Sequence, residues 1–451
     1  MPRVSLVLAH GAEGLTGDGV PAGVLYGAVL VGVVLGVVGL RARGTSSAAP
    51  TVAAASIDGT EVGPWPGDEL PAAARVAGQS LGLAALVLAL VVGWGGSPLS
   101  GLNPLPLAMI AVVWWAVPAL ALLLGDWWRV IDPYDALAAG IDRMRGRTSD
   151  APTTTGADDE ADDWWVPAVL LASFAWLTTG WIDGQDPRPL VAWLTALTAL
   201  MVGGALVAGR PWVRRSSPMA VLCGVVAGGS PVRWDGGRVG LRSPRLGLAA
   251  RAGGRRTLAV VVTLIGATLW EVVAGSAWWA DLAGGAATSA TPWWALFGLA
   301  ATIGAVALAW WALARLGEIA ALARGATLGE PLAGDLAVAL AGCAAVAPIV
   351  HQLSTFLVYV QDLVAMSSDP FGRGANVFGT ARWRADETLI SAATANWIQL
   401  GLLGAALALL MVGGWDRLVA RFDRVALDVV WSVGAAAVLV GVVYLRYLLG
   451  A

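Results

Sequence analysis

Ten apolar stretches divide the chain, with short polar segments between them. They run approximately over Pro21–Leu40, Ala77–Trp94, Pro106–Leu124, Trp164–Trp181, Pro189–Ala208, Thr257–Gly275, Trp293–Leu313, Leu336–Val360, Thr394–Val412 and Val425–Leu445. At about 1.5 Å per helical residue, each is long enough for a hydrocarbon core of about 30 Å. Within lipid only helices and closed barrels satisfy their backbone polar groups, and unbroken apolar runs of this length are helical runs. The pattern predicts an all-α, polytopic helix bundle of about ten transmembrane helices, with the lipid bilayer as its solvent. Gly32 and Gly36 form a GxxxG pair suited to close helix packing.

Composition agrees: 57% of the 451 residues are hydrophobic and 13% charged, where a soluble domain carries about 25% charged residues. All 28 basic residues are arginine, and their distribution predicts orientation. Counted over alternate inter-helix segments, 22 fall on one side and 6 on the other. Cationic loops stay in the cytoplasm, so both termini are expected outside, in the cell membrane. The run Val4–Ala9 is too short for a signal-peptide core, and no cleavage is expected. The cytoplasmic segments are then a linker over 41–76, an interfacial helix with an acidic linker over 125–163, and a loop over 209–256 holding ten arginines. That loop contains Met219–Ala227, an apolar piece too short to span and expected to be interfacial or re-entrant. A long extracellular loop covers 362–393, with a turn signal at Asp369-Pro370.

Ten of the 24 tryptophans fall in the pairs Trp114-Trp115, Trp127-Trp128, Trp164-Trp165, Trp278-Trp279 and Trp293-Trp294. An indole has an apolar body and one donor, so these pairs are expected at headgroup level. Net charge is only −3, which argues against a nucleic-acid partner. Cys223 and Cys343 form neither a disulfide framework nor a CxxC pair.

Ionisable groups inside spans are costly and are functional candidates by default. His351 lies in the eighth stretch, three residues after Pro348, with Ser354 and Thr355 at i+3 and i+4 on the same expected helix face. Pro348 lacks an N–H and frees the carbonyl of Ala344, which predicts a kink. Glu271 lies in the outer part of the sixth stretch, and His10 precedes the first. Convergence of His10, Glu271 and His351 near the outer leaflet would make a proton or metal site, with the two histidines as the metal ligands. The bland alternative is that His351 and Glu271 bond neighbouring helices. Asp369 and Arg373 are the polar candidates of the outer loop. No HExxH, G-x-S-x-G, P-loop or dinucleotide fingerprint occurs, and no particular cofactor is indicated.

Several stretches carry a family resemblance. They are Leu8-Ala9-His10-Gly11, Asn103-Pro104, the run from Asp126 to Pro133 (DWWRVIDP), the run from Gly236 to Pro244 (GGRVGLRSP), and Ser368-Asp369-Pro370-Phe371-Gly372-Arg373-Gly374 followed by Phe378-Gly379-Thr380. In that order they resemble a family of multi-pass membrane proteins from actinobacteria and archaea often labelled fenitrothion hydrolase. The resemblance implies a polytopic topology, and the label implies phosphotriester hydrolysis, with no catalytic residue to carry over. The chain departs from the family pattern at Glu271, where an aspartate is more familiar, and at Asp362, where a glycine is. Three functions stay open: a transporter for a small ion or solute, the hydrolase of the label, and a non-catalytic membrane subunit whose arginine-rich loop docks a partner or anionic lipid. Oligomeric state is open as well.

Overall fold

The computed structural model describes residues 70–147, 162–180, 186–235, 238–244, 247–248, 253–282, 292–323, 332–391, 394–395, 397–399 and 401–402. In chain order the helices are α1 (Ala72–Gly95), α2 (Leu105–Leu124), α3 (Trp128–Ile131), α4 (Pro133–Met144), α5 (Val166–Gly180), α6 (Pro187–Ala208), α7 (Arg210–Ser216), α8 (Pro218–Val226), α9 (Arg255–Ala274), α10 (Ala277–Leu282), α11 (Pro292–Leu322), α12 (Leu332–His351) and α13 (Leu353–Met366). One antiparallel hairpin, β1 (Val232–Asp235) and β2 (Arg238–Leu241), pairs Val232 with Leu241 and Trp234 with Val239. Six helices, α1, α2, α6, α9, α11 and α12, are long and apolar enough to cross a membrane. The predicted stretch Pro21–Leu40, most of Thr394–Val412 and all of Val425–Leu445 lie outside the described residues, as does the Gly32–Gly36 pair.

The fourth predicted span is α5, described over 15 residues up to Gly180, where that run of described residues ends. One predicted span differs in form. The eighth is not one kinked helix: it breaks into α12 and α13 at Gln352, whose φ of −109° and ψ of 25° leave the helical region. Pro348 stays inside α12, so the break falls four residues beyond the proline.

The helices run between two distinct ends. At one end Asp186 caps α6 by accepting the Arg188 N–H at 2.9 Å, and the Arg188 guanidinium donates to the carbonyls of Gly93, Trp94 and Gly96 at the close of α1. These are carbonyls that a helix terminus leaves unpaired. Asn103 turns the chain into α2 from a fully buried position, its amide donating to Val92 and Ser97 carbonyls while its oxygen accepts the Leu105 N–H. At the opposite end, rich in arginine, α3 and α4 cross beneath α1 and α6. Gly82 permits that crossing, since a Cβ there would lie 1.8 Å from the Ile131 carbonyl oxygen.

The apolar piece inside the arginine-rich loop forms α8, and every residue in it except Met219 is buried. Both of its flanks are tied to the arginine-rich end: Ser217 donates to Asp132, and Ser230 donates to the Leu123 carbonyl. Thus α8 is a crossbar under α2, α5 and α12. On the other side of the bundle α9 packs against α11 through small residues. A Cβ at Gly266 would meet Ile303, and one at Gly298 would meet the Trp270 ring.

Candidate functional site

Between Leu105 and Leu124 the backbone of α2 widens into a π-helix over Ala108–Ala116. Pro118 contributes, because it offers no N–H to the carbonyl four residues before it, that of Trp114. A π segment is rare and recurs where a helix serves a site. Here it presents Trp114 and Trp115 to the interior, with 3% and 5% exposure. This corrects the expectation that the pair sits at headgroup level: both indoles lie mid-helix, in the core.

Glu271 stands one turn before the end of α9. The Trp114 indole approaches its carboxyl without reaching hydrogen-bond geometry. The Glu271 Oε2 atom is buried without a partner, and the same holds for the indole nitrogens of Trp114 and Trp115. The walls are aromatic. Trp115 stacks on Tyr359 at 5.8 Å and meets the Phe356 edge at 6.4 Å, while Trp114 packs on Phe174 at 5.3 Å. Tyr359 and Phe356 come from α13, and the break at Gln352 sets that helix apart from α12. Neighbouring indoles are satisfied: Trp270 donates to Thr179, Trp193 to Ser173 and Trp176 to the Pro292 carbonyl. Each unpaired buried donor or acceptor costs about 1–3 kcal/mol, and the Glu271 carboxyl and the Trp114 indole bear that cost side by side within these aromatic walls.

Of the sequence-derived candidates, Glu271 alone, among the described side chains, lies beside the Trp114 indole. His10 lies outside the described residues. His351 is the last residue of α12, and its side chain also lies outside them. Ser354 is exposed and Thr355 half-buried on α13, and the break means they do not continue the helix face of His351. No group of three or more His, Cys, Asp or Glu side chains converges among the described residues.

Asp369 and Arg373 hold the loop after α13 together. The Asp369 carboxylate accepts the N–H groups of Arg373 and Gly374, and the first of these bonds holds it below the usual carboxylate range. The Arg373 guanidinium donates to the Gly95 carbonyl and lies over the Phe371 ring at 5.3 Å. The loop proper starts at Ser367, later than expected, because α13 carries Asp362.

A second polar cluster, unforeseen in the sequence, lies at the arginine-rich end. Arg210 grips Asp135 through two bonds of 2.8 and 2.7 Å, and Arg214 adds a third at 2.7 Å. Burial alone raises the Asp135 carboxyl, but the bonds from Arg210 and the charges of Arg214 and Arg210 prevail and hold it below its ordinary value. Asp132 caps α4 by accepting the Tyr134 N–H, and it also accepts the Ser217 hydroxyl. Burial pushes Asp132 up to about 7, the charge of Asp135 adds to this, and the two hydrogen bonds oppose it.

The folded protein therefore binds a proton at Asp132 that the unfolded chain, at about 3.8, releases earlier. That contribution to stability is full below the unfolded value and is lost as pH rises through 7. Asn at this position preserves the cap. The melting temperature of Asp132→Asn should exceed that of the parent by more at pH 8 than at pH 5, read from intrinsic fluorescence in detergent. A constant offset between the two would assign the cluster no protonation role.

Comparison with protein-family models, curated proteins and solved structures finds no match to this chain.

Proposed function

We propose that this chain is a ten-span protein of the cell membrane, both termini outside, that moves a small ion or solute across the bilayer. Glu271 is the carboxyl that takes up and releases the cation. The supporting observation is its Oε2 atom, buried without a hydrogen-bond partner in an aromatic setting with the Trp114 indole as neighbour. A bare carboxylate oxygen in hydrocarbon costs several kcal/mol, so this position calls for a proton or a metal cation on Glu271. Aromatic ring faces attract a cation. A broken helix is a common feature of carriers, because it allows one half to move against the other. The arginine asymmetry supports an orientation with the α8 crossbar on the cytoplasmic side.

The test uses purified protein in vesicles of phosphatidylethanolamine and phosphatidylglycerol, with a pH-sensing dye inside and ionophore to balance charge. Proton, sodium and potassium gradients are imposed in turn. The parent should dissipate at least one of them faster than protein-free vesicles do. Glu271→Gln should fall to the protein-free rate while still eluting as folded protein. Equal rates for parent and variant under all three gradients would remove Glu271 from this role.

A further inference from the structure

A lateral cavity of about 850 Å³ opens between α5, α9 and α11, within the range of about 300–1,000 Å³ for ligand sites. It touches neither the Glu271 chamber nor the Asp135 cluster. Its walls are almost wholly apolar, with Leu258, Ala259 and Val262 from α9 facing Ile303, Gly304 and Ala307 from α11. Towards the end opposite the arginines the three helices converge. There a Cβ on Gly180 would lie 2.6 Å from that of Ala295, and one on Gly298 would strike the Trp270 ring. Towards the arginine-rich end the helices part, and the mouth is framed by Trp164, Trp165, Trp310 and Trp311 with Arg255. The rim is held in place: the Trp310 indole donates to the Ala333 carbonyl, and Asp163, next to Trp164, pairs with Arg215 and Arg256. Arg255 itself is exposed and has no ion pair among the described residues.

We infer that this groove binds one membrane glycerophospholipid, an acyl chain lying between α9 and α11 and the phosphate on Arg255. A single leaflet offers about 15 Å of hydrocarbon below a headgroup layer where indoles settle. The lining runs along α11 from Trp311 to Trp293, 19 residues, about 27 Å. An acyl chain therefore fits with its phosphate level with the tryptophan rim. A guanidinium at that depth supplies two parallel donors to a phosphate diester, which an apolar helix or a second copy of the chain would leave unmatched.

The experiment places the full chain in vesicles of phosphatidylethanolamine and phosphatidylglycerol. The vesicles contain trace phosphatidylglycerol with a photoreactive diazirine on its acyl chain, and labelled positions are mapped by peptide mass spectrometry. Labelling at Ala259, Val262 and Ala307 should exceed, several-fold, that at Leu308, which is exposed and does not line the groove. A side chain at Gly304 meets open space, so Gly304→Phe fills the groove without disturbing the fold. That variant should abolish groove labelling and leave Leu308 unchanged, and Arg255→Gln should weaken groove labelling several-fold. Equal labelling of groove and Leu308 would overturn the inference, as would groove labelling that survives Gly304→Phe. Crosslinks from a small diazirine side chain at Gly304 into a stretch of this chain outside α5, α9 and α11, or into a second copy, would overturn it too.

Discussion

Asp135→Asn should destabilise the folded protein by about 3–5 kcal/mol, the cost of breaking a buried ion pair from one side. The carboxylate holds two guanidinium groups, those of Arg210 and Arg214, and its own side chain is 4% exposed. An amide offers one acceptor oxygen and no charge, so both cations would stay buried with reduced compensation. The melting temperature in detergent should fall by several degrees, and the yield of monodisperse protein should fall with it. Replacing all three together, Asp135→Leu with Arg210→Met and Arg214→Met, should recover much of the loss, because an apolar replacement of a whole buried ion-pair cluster is close to neutral. A single variant that melts with the parent would show that water reaches this cluster.

Gly82→Ala is expected to have a comparable effect by a steric route. A Cβ at Gly82 would lie 1.8 Å from the Ile131 carbonyl oxygen and 2.8 Å from its carbon. Both atoms are backbone, between α3 and the cap of α4, so no rotamer change relieves the contact. Overpacking of this kind costs about 1–3 kcal/mol or more. The crossing of α1 over α4 would open, and the Asp135 cluster carried by α4 would shift with it. Gly203 in α6 is the control, since a Cβ there meets open space. Gly203→Ala should be neutral or stabilising by up to about 1 kcal/mol, the helix-propensity difference. Equal melting of the two alanine variants would refute the close crossing.

The positions of α1, α2, α6, α9 and the start of α11 were legible in the hydrophobic pattern because membrane thickness imposes a minimum length. Side-chain depth was less legible. Trp114 and Trp115 carry the same composition signal as an interfacial pair, and only their place nine residues into α2 distinguishes them. Glu271 could be singled out because a carboxyl in an apolar run is costly wherever it points. Its indole neighbours come from a helix more than 150 residues earlier in the chain, and no local pattern encodes that meeting. The same distance hid the Asp135–Arg210 pair, 75 residues apart. The proline rule indicated the irregular region of the eighth stretch, but the break itself falls at Gln352, and beyond it Phe356 and Tyr359 pack on Trp115, a contact distant in sequence.

The crossbar α8 sets a condition on any passage through the bundle. Its nine residues, Pro218 to Val226, offer a traveller no side-chain oxygen and no charge, only the Cys223 thiol. For the proposed carrier, an ion leaving on the arginine-rich side would meet this dry, buried helix, whose preceding residue Ser217 donates to Asp132, a carboxyl that burial pushes up to about 7.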